Sequence, residues 1–390
     1  MNILTFSSLY PNAAQPIRGI FVENRLRHLV ASGEVDARVV APVPWFPLSF
    51  GPFGSYREFA RAPKSETRHD ISIIHPRYPV IPKIGMSIAP FLMYSALKPV
   101  IRRMLRDGLP LDLIDAHYFY PDGVAAVMLG RAFDIPVVIT ARGTDINLIP
   151  NYTIPRRQIL WAADKAAAII TVSQALKDVL VGLGASAAKI KTLRNGVDLE
   201  MFRPLDRLEA RKELGLSGRI LLSVGNLVEL KGQGIMISAL PNLPDAKLLL
   251  AGTGEDRQKL ENLARILGVS ERVTFLGRVP HDQLAKIYSA ADALVLASSR
   301  EGWPNVLLEA MACGTPVIAS NISGTPEIVA APAAGILMEE RTPDGLANAV
   351  RKLFENLPDR STTREYAEQF SWDDTTQGQL DLFRNILASD

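Results

Sequence analysis

Residues 298–316 have the sequence SSREGWPNVLLEAMACGTP, and they follow an apolar run that ends at Ala297. The apolar run predicts a buried strand, and the apolar residues beyond Pro304 predict a helix that starts near that proline. Proline suits the first helical turn because no amide donor is needed there. The free backbone amides of that turn, at the positive end of the helix dipole, would bind phosphate or another anion. The stretch therefore predicts a strand, a ligand-binding loop and a helix.

Two glutamates in this stretch are candidate ligand-binding residues. Glu301 lies in the predicted loop, and Glu309 lies in the predicted helix among apolar residues. A carboxylate in an apolar run needs a polar partner, and the two hydroxyls of a ribose would satisfy both of its oxygens. The alternative is that Glu301 is a solvated loop charge and Glu309 an ordinary charge on a helix face. The Gly-Trp-Pro-Asn sequence between them, and the Gly314-Thr-Pro316 sequence that ends the helix, favour a binding site.

Short Val/Ile/Leu-rich runs alternate with helical patterns in both halves of the chain. Runs of this kind are typical of strands buried on both faces of a parallel sheet. One helical pattern covers residues 257–267, with Leu260, Leu263, Ala264 and Leu267 on its apolar face. The predicted class is α/β with two doubly wound, Rossmann-like domains. The predicted strands are residues 3–6, 37–41, 71–75, 113–116, 137–140, 168–172, 219–224, 247–251, 273–276, 293–297, 317–319 and 335–337.

The boundary between the two domains is predicted near residues 195–206. The Asn-Gly pair at 195–196 favours a turn, and Pro204 discourages regular structure. The predicted domains are residues 1–197 and residues 205–372. In proteins with two sheets of this type, ligands bind between the domains and outside the carboxyl ends of the strands. Functional residues are therefore expected in loops that follow strands.

The pair Glu301 and Glu309, separated by seven residues, resembles the acidic pair of retaining glycosyltransferases of family 4. The resemblance covers nearly the whole chain and implies the GT-B fold, in which two Rossmann-like domains face each other across a cleft. It implies that Glu301 reaches hydroxyls of the donor sugar, that Glu309 holds the ribose of the nucleotide, and that residues 373–390 cross back to pack on the first domain. The sequence as a whole resembles those of bacterial family members that build surface polysaccharides of the teichuronic-acid type.

The resemblance implies further donor-binding positions in the second half. Gly225, Asn226 and Lys231 follow a predicted strand, and Lys231 would neutralise the diphosphate. Family members usually carry arginine where this chain has Asn226. Gly254 follows another strand and would approach the ligand or simply form a turn, and Arg278 would stack on the base or reach a phosphate. The other predicted donor-binding residues are Gly302, Trp303, Pro304, Asn305 and Val306.

Five residues of the first half are candidates for the donor-sugar and acceptor side. His117 ends a predicted strand, where the family carries a histidine near the donor sugar, and it is expected to position a hydroxyl or the acceptor. Arg142 replaces the histidine that is commoner in the family. Asp145 would accept acceptor hydroxyls or cap its own loop. Arg194 at the domain boundary is a third candidate acceptor residue. Gly19 would place backbone amides near the diphosphate or acceptor.

Composition narrows the class of protein. The chain has 390 residues, 47% hydrophobic and 22% charged, with a formal net charge of +2, which is typical of a globular protein and not of a polyanion-binding one. The single cysteine, Cys313, excludes a disulfide framework and favours a reducing compartment. The N-terminus lacks the pattern of a signal peptide, so a cytoplasmic protein is expected. Residues 84–106 are apolar with a basic end, and they indicate either a packed helix or contact with the inner face of a membrane.

The resemblance also implies a mechanism and a donor. A retaining, front-face transfer is expected, without an obligatory metal or other cofactor, because positive protein groups stabilise the leaving diphosphate. The chain also lacks an Asp-x-Asp sequence after a strand, which is the metal-binding motif of the other major glycosyltransferase fold. A UDP-hexose is the favoured donor, with GDP- and ADP-sugars as alternatives, and the acceptor is a glycan, a lipid-linked sugar or a small molecule. Two alternatives stay open: a nucleotide-sugar epimerase or hydrolase of the same fold, and a non-catalytic subunit that binds nucleotide sugar. Nucleic-acid binding is not expected, and the sequence does not indicate an oligomeric state.

Overall fold

The computed structural model describes residues 1–47, 55–81 and 85–388 of the chain. It divides into two compact units. Unit 1 comprises Met1–Asn195 together with Asp373–Asp390, and unit 2 comprises Gly196–Trp372. Each unit is an α/β unit around its own sheet.

The described strands are shorter than seven residues, and five of them, near the middle of the two sheets, are buried at every residue. In chain order they are β1 Asn2–Phe6, β2 Asp36–Val40, β3 Val43–Trp45, β4 Ser65–Arg68, β5 Ile71–Ile74, β6 Arg77–Pro79, β7 Leu113–His117, β8 Val137–Ala141, β9 Ala168–Thr171, β10 Ile190–Thr192, β11 Arg219–Val224, β12 Ala246–Ala251, β13 Val273–Gly277, β14 Ala293–Leu296, β15 Val317–Ser320 and β16 Gly335–Met338.

The α-helices lie mainly between consecutive strands, as parallel sheets require. In chain order they are α1 Ile20–Ala31, α2 Ser55–Ala60, α3 Ala89–Arg106, α4 Val124–Phe133, α5 Thr144–Asn147, α6 Thr153–Lys165, α7 Gln174–Gly182, α8 Arg207–Glu213, α9 Gln233–Ala239, α10 Arg257–Ile266, α11 Leu284–Ala290, α12 Asn305–Ala312, α13 Thr325–Ile328, α14 Pro343–Glu355, α15 Arg360–Glu368 and α16 Trp372–Leu387.

Unit 1 contains an eight-stranded sheet in the order β10-β9-β8-β7-β1-β2-β5-β4. The six strands that were predicted in this half are present. Four further strands, β3, β4, β6 and β10, were not predicted, because none has a continuous apolar run. Strand β4 has the sequence Ser-Glu-Thr-Arg and pairs antiparallel with β5 at the sheet edge, so this sheet is not purely parallel. Strands β3 and β6 each contain proline and pair only with each other.

The core of unit 1 includes side chains from the last helix of the chain. Leu380 and Phe383 of α16 are buried in one cluster with Ile3 and Val39 of the sheet and with Leu193. Burial of two such side chains is worth several kcal/mol, at about 1.5–3 kcal/mol each. The segment after residue 372 therefore completes the hydrophobic core of unit 1.

Unit 2 contains a six-stranded sheet in the order β13-β12-β11-β14-β15-β16, and all its pairs are parallel. All six strands were predicted. The strand order reverses between β11 and β14. In doubly wound sheets the loops that leave the carboxyl ends of two such strands diverge and leave a crevice at this switch point, and ligands bind there.

Two predicted helices differ from the observed ones at their ends. The helix of residues 298–316 begins at Asn305, with Pro304 in the preceding N-cap position. The helix predicted over residues 257–267 ends at Ile266, and Leu267 is exposed. The cause is Gly268, whose φ of 67° ends the helix while the Val269 amide bonds back to Ala264.

The apolar face of α3 is used inside unit 1. Met93, Leu97 and Ile101 are fully buried, so the packed-helix interpretation of residues 84–106 is the one that the structure shows for this face. Phe91 at the start of the helix stays 49% exposed. Ile84 lies outside the described residues. Among the residues that the structure describes, no helix combines the length and the apolar character needed to cross a bilayer.

Gly19 precedes α1 in a left-handed conformation, with φ 70°. A Cβ atom at this position would lie 2.2 Å from the carbonyl oxygen of Leu9. The loop between β1 and α1 therefore folds back on itself at Gly19, and the close neighbour of this glycine is backbone of its own loop.

We expect Gly19→Ala to destabilise unit 1 much more than Gly33→Ala. Gly33 has nearly the same backbone conformation, with φ 77°, but its added Cβ would contact nothing within 4 Å. Gly33→Ala should therefore show only the left-handed strain, about 1 kcal/mol, whereas Gly19→Ala adds a steric clash and should cost about 3 kcal/mol. Urea unfolding of both variants beside the wild type measures the difference. Equal losses would show that the clash is relieved by movement of the loop.

Candidate functional site

In unit 2, the loops that follow β11 and β14 contact each other at the switch point of the sheet. The amide of Ser299 donates a hydrogen bond to the carbonyl oxygen of Leu230, at 2.9 Å. Gly232 has φ 72°, and a Cβ there would lie 2.1 Å from the carbonyl oxygen of Ala297. Only glycine permits this approach, so the two loops are held together by backbone.

Lys231 and Glu301 form an ion pair across these two loops. The Lys231 Nζ atom lies 2.7 Å from Glu301 Oε1, and the two side chains are 25% and 11% exposed. The structure thus brings together two of the residues that were predicted for the diphosphate and for the sugar. Because the pair is only partly exposed, each charge needs a replacement partner whenever the other one is engaged elsewhere.

Glu309 lies on α12 and has two protein partners that the sequence did not indicate. The hydroxyl of Tyr288 donates to Glu309 Oε2 at 2.8 Å, and His281 Nε2 lies 3.5 Å from Glu309 Oε1. The polar partner expected for this carboxylate is therefore present in the protein itself. His281 also packs edge-on against Phe202, with ring centroids 5.1 Å apart.

His281 and Tyr288 differ in how far sequence alone could have identified them as partners of Glu309. His281 lies three residues after Arg278, which was predicted to stack on the base or to reach a phosphate, so its position was a usable signal. Tyr288 lies on the buried face of α11, where an aromatic side chain indicates only packing. Its hydroxyl reaches Glu309 because α11 packs next to α12.

The glycine-rich loops of unit 2 pack on one another. A Cβ on Gly252 would lie 1.9 Å from the carbonyl oxygen of Gly225, and one on Gly254 would lie 2.2 Å from that of Leu227. Close packing of two backbones thus accounts for Gly254. Asn226 is exposed, and its carbonyl oxygen accepts a hydrogen bond from Gln233.

The other predicted donor-binding residues of unit 2 differ in how far they are buried. Trp303 is buried and packs against Phe370, with ring centroids 6.2 Å apart. Pro304 lies in the N-cap position of α12 and provides no side-chain cap. The positive end of the helix dipole at this end of α12 favours an anion. Gly302 and Pro304 are buried, Asn305 and Val306 are half-buried, and Arg278 is exposed.

In unit 1, His117 is the last residue of β7 and is buried. Its Nε2 atom lies 3.0 Å from Asp115 Oδ2, and its Nδ1 atom lies 2.6 Å from Arg142 Nη2. Burial lowers the pKa of His117 to about 4, and Arg142 acts in the same direction, although Asp115 opposes them. The imidazole is therefore neutral at pH 7, and both its nitrogens have protein partners.

The acceptor-side candidates have different surroundings. Arg142 is buried, and its guanidinium also donates to Asn195 at 3.0 Å. The Asp145 carboxylate accepts from the amides of Arg142, Gly143 and Phe119, so it caps its own loop, which is one of the two predicted roles. Arg194 is exposed at the end of unit 1.

The described residues contain no group of three or more His, Cys, Asp or Glu side chains arranged to hold a metal ion. Near the switch point of unit 2, Lys231 supplies positive charge, and the N-terminus of α12 supplies partial positive charge. This arrangement is suited to hold an anionic ligand that also carries hydroxyl groups.

Two family profiles match the chain. The profile of glycosyl transferases group 1 matches residues 206–370, and the profile of glycosyltransferase family 4 matches residues 57–201. The chain belongs to glycosyltransferase family 4. Its two Rossmann-like units have the GT-B fold, as the resemblance implied.

Relatives of this glycosyltransferase act in several reactions. A Bacillus subtilis protein named for teichuronic acid biosynthesis, TuaC, is 28% identical over 100% of this chain and 97% of its own. A D-inositol 3-phosphate glycosyltransferase of Corynebacterium urealyticum is 33% identical and covers 72% of each chain. Sucrose-phosphate synthase of Thermosynechococcus elongatus has a TM-score of 0.81 at 22% identity, over 100% of this chain and 99% of its own. HepE of Anabaena, solved with UDP-glucose, has a TM-score of 0.74 at 22% identity, with the same coverage.

The contact between His281 and Glu309 predicts a pH-dependent contribution to stability. Burial lowers the pKa of His281, but the hydrogen bond and charge of Glu309, together with Asp198 and Asp282, raise it above its ordinary value. A raised pKa stabilises the fold fully below the unfolded value of about 6.5, and this stability is lost as pH rises through the folded value. The difference in melting temperature between wild type and His281→Phe should therefore be larger at pH 6 than at pH 9.

The matched control is Tyr288→Phe, which removes the other contact of Glu309. Burial raises the pKa of Tyr288 well above its ordinary value, so it does not titrate in this range. Its effect on melting temperature should be the same at pH 6 and pH 9. A His281→Phe difference that is equally flat would contradict a charged contact.

Proposed function

We propose that this glycosyltransferase is a retaining hexosyltransferase that uses a UDP-sugar and needs no metal. The observation that carries the proposal is the ion pair of Lys231 and Glu301 at the switch point of unit 2. A nucleotide-sugar donor has one replacement for each partner of this pair. Its diphosphate is an anion for Lys231, and its sugar hydroxyls are hydrogen-bond donors for Glu301.

In this proposal Lys231 and the first amides of α12 hold the diphosphate. The backbone amides at the N-terminus of α12 lie at the positive end of the helix dipole, which favours phosphate oxygens. Charge develops on the diphosphate as the bond to the sugar breaks, and these groups are in place before that happens. They supply the positive charge that a metal ion supplies in other transferases.

Glu309 holds the ribose through Oε1 in this proposal. Tyr288 occupies Oε2 at 2.8 Å, whereas the contact of Oε1 with His281 is long, at 3.5 Å. A ribose hydroxyl at Oε1 would make a shorter bond than the present contact. Tyr288 then has the task of fixing the carboxylate in one orientation.

Retention of configuration is proposed to follow a front-face course. Glu301, the carboxylate proposed beside the sugar, is paired with a lysine and is better suited to accept hydroxyl hydrogen bonds than to attack carbon. The acceptor would attack from the face that the diphosphate leaves, and the diphosphate would take the acceptor's proton. The proposed role of His117 beside the sugar stays a prediction, as do those of Arg142, Asp145 and Arg194 for the acceptor.

The relatives support a UDP-hexose and a carbohydrate acceptor. HepE is solved with UDP-glucose, and TuaC is named as a glycosyltransferase of teichuronic acid biosynthesis. We therefore propose a glycan or lipid-linked acceptor presented at the cytoplasmic face of a membrane. Phe91 and Ile88 are exposed at the start of α3 and would contact that surface.

We expect Glu301→Gln and Lys231→Met to change nucleotide binding in opposite directions. Glu301→Gln frees Lys231 from its ion pair, so UDP without sugar should bind several-fold more tightly, although sugar transfer should fall about 100-fold. Lys231→Met removes the cation, so UDP should bind about 10- to 100-fold more weakly. Calorimetry with UDP, together with mass spectrometry of products from UDP-sugars and acceptors, measures both effects.

Glu339→Gln is the matched control, because Glu339 forms an ion pair with Lys352 in the same unit but is 80% exposed. This variant should leave UDP affinity and transfer unchanged. The proposal fails if Glu301→Gln transfers sugar at the wild-type rate. Product formed without an acceptor would instead indicate the epimerase or hydrolase alternative.

A further inference from the structure

A chain of buried polar side chains connects α1, α16 and the carboxyl end of β7 within unit 1. It begins at Arg25 of α1, passes through Gln379 of α16 to Asp115, and continues through His117 to Arg142. All five side chains are buried. Buried charges are costly unless each one is paired and hydrogen-bonded, so the geometry of this chain is tightly constrained.

The orientation of the Gln379 amide is set by its two neighbours. Arg25 Nε donates to Gln379 Oε1 at 2.7 Å, and Gln379 Nε2 donates to Asp115 Oδ2 at 2.9 Å. A guanidinium can only donate and an ionised carboxylate can only accept. The amide oxygen must therefore face Arg25, and the amide nitrogen must face Asp115.

The same logic sets the tautomer of His117. Arg142 Nη2 can only donate, so His117 Nδ1 must accept and carries no proton. The proton of the neutral ring is then on Nε2, which donates to Asp115 Oδ2 at 3.0 Å. Asp115 Oδ2 thus receives two hydrogen bonds, one from Gln379 and one from His117, while Asp115 Oδ1 has no hydrogen-bond partner among the described residues.

We propose that Gln379 is a positioning residue, which holds Asp115 and through it fixes the tautomer of His117 and the orientation of the Arg142 guanidinium. The inference rests on the proposed function, which assigns His117 to the donor sugar and Arg142 to the acceptor. It gives the last helix of the chain a task beyond packing. Leu380 and Phe383 pack α16 into the core, and Gln379, the residue before Leu380, supplies one amide to the polar network.

The charges around His117 predict the response to a change at Gln379. The groups that face the imidazole are Asp115, Arg142 and Arg25. Gln379→Glu still accepts from Arg25, but it cannot donate to Asp115 and it adds a negative charge. Both effects favour imidazolium, so the pKa of His117 should rise by at least about one unit towards its ordinary value. Gln379→Leu loses both hydrogen bonds and should raise this pKa by less.

The experiment is NMR of protein labelled with ¹⁵N at histidine. The chain has five histidines, so the spectrum contains few signals. The spectrum of His117→Gln assigns the His117 signals. In the wild type at pH 7 we expect a neutral His117 with its proton on Nε2, and in both Gln379 variants we expect titration at higher pH. The control is Gln377→Leu on the same helix, because Gln377 is exposed and its side-chain amide donates to Asp381 Oδ1 at 2.8 Å. This control should leave the His117 signals unchanged.

Transfer kinetics supply the functional readout. Both Gln379 variants should lower kcat about 10-fold and move the acid limb of the pH profile upward, with a change in donor KM of less than about 3-fold. A wild-type His117 protonated on Nδ1 or charged at pH 7 would overturn the proposal, even if no variant folds. Gln379 variants in which the His117 signals stay as in the wild type would also overturn the proposal. If the signals move as expected but no nucleotide sugar supports transfer, the proposed function fails and the hydrogen-bond network stands.

Discussion

Parallel pairing of β11 with β12 and with β14 is the constraint on which the site of unit 2 depends. It brings the carboxyl ends of the three strands to one edge of the sheet, and the reversal of strand order separates the loops that follow β11 and β14. Lys231 and Glu301 lie 70 residues apart in the chain and reach a distance of 2.7 Å because their loops leave from that edge. Gly232 then permits the loops to touch, since any larger residue would clash with Ala297.

Both units contain a buried or half-buried histidine beside a carboxylate. In unit 2, burial lowers the pKa of His281, but the hydrogen bond and charge of Glu309 outweigh burial and raise this pKa above its ordinary value. In unit 1, His117 also has a carboxylate neighbour, yet burial and Arg142 dominate and its pKa falls to about 4. Burial is the larger cause, and a second one acts at the other ring nitrogen. Arg142 donates to Nδ1 of His117, and a ring that accepts a hydrogen bond there cannot also carry a proton there.

Sequence patterns predicted the parts of the fold that depend on local composition. Continuous apolar runs indicated the buried strands, and Glu301 and Lys231 were found because they follow such runs. The edge strand β4 was missed because Ser-Glu-Thr-Arg has no apolar run and is held by pairing with β5 alone. A strand at an edge needs no buried faces, so its sequence carries little signal.

Most of the predicted site residues lie in loops that follow strands, and Glu309 on α12 was found because it interrupts an apolar run. Tyr288 and Gln379 were missed because each sits on a helix, where an aromatic or amide side chain indicates nothing about a partner far away in the chain. Gln379 is 264 residues from Asp115. The demand of Glu309 for a polar partner was inferred correctly from its apolar surroundings, but the partner that the structure shows is Tyr288. The apolar residues around a carboxylate indicate that it has a polar partner, and tertiary packing determines which residue that partner is.

The central claim is that a donor takes over the two partners of the Lys231–Glu301 ion pair. Crystal structures of the protein with and without a UDP-sugar test it directly, through the distance from Lys231 Nζ to Glu301 Oε1. Without donor this distance should stay near 2.7 Å. With donor bound, we expect the ion pair to separate, with Lys231 on the diphosphate and Glu301 on the sugar hydroxyls. A donor that binds while the ion pair stays intact, with neither side chain in contact with it, would contradict the account.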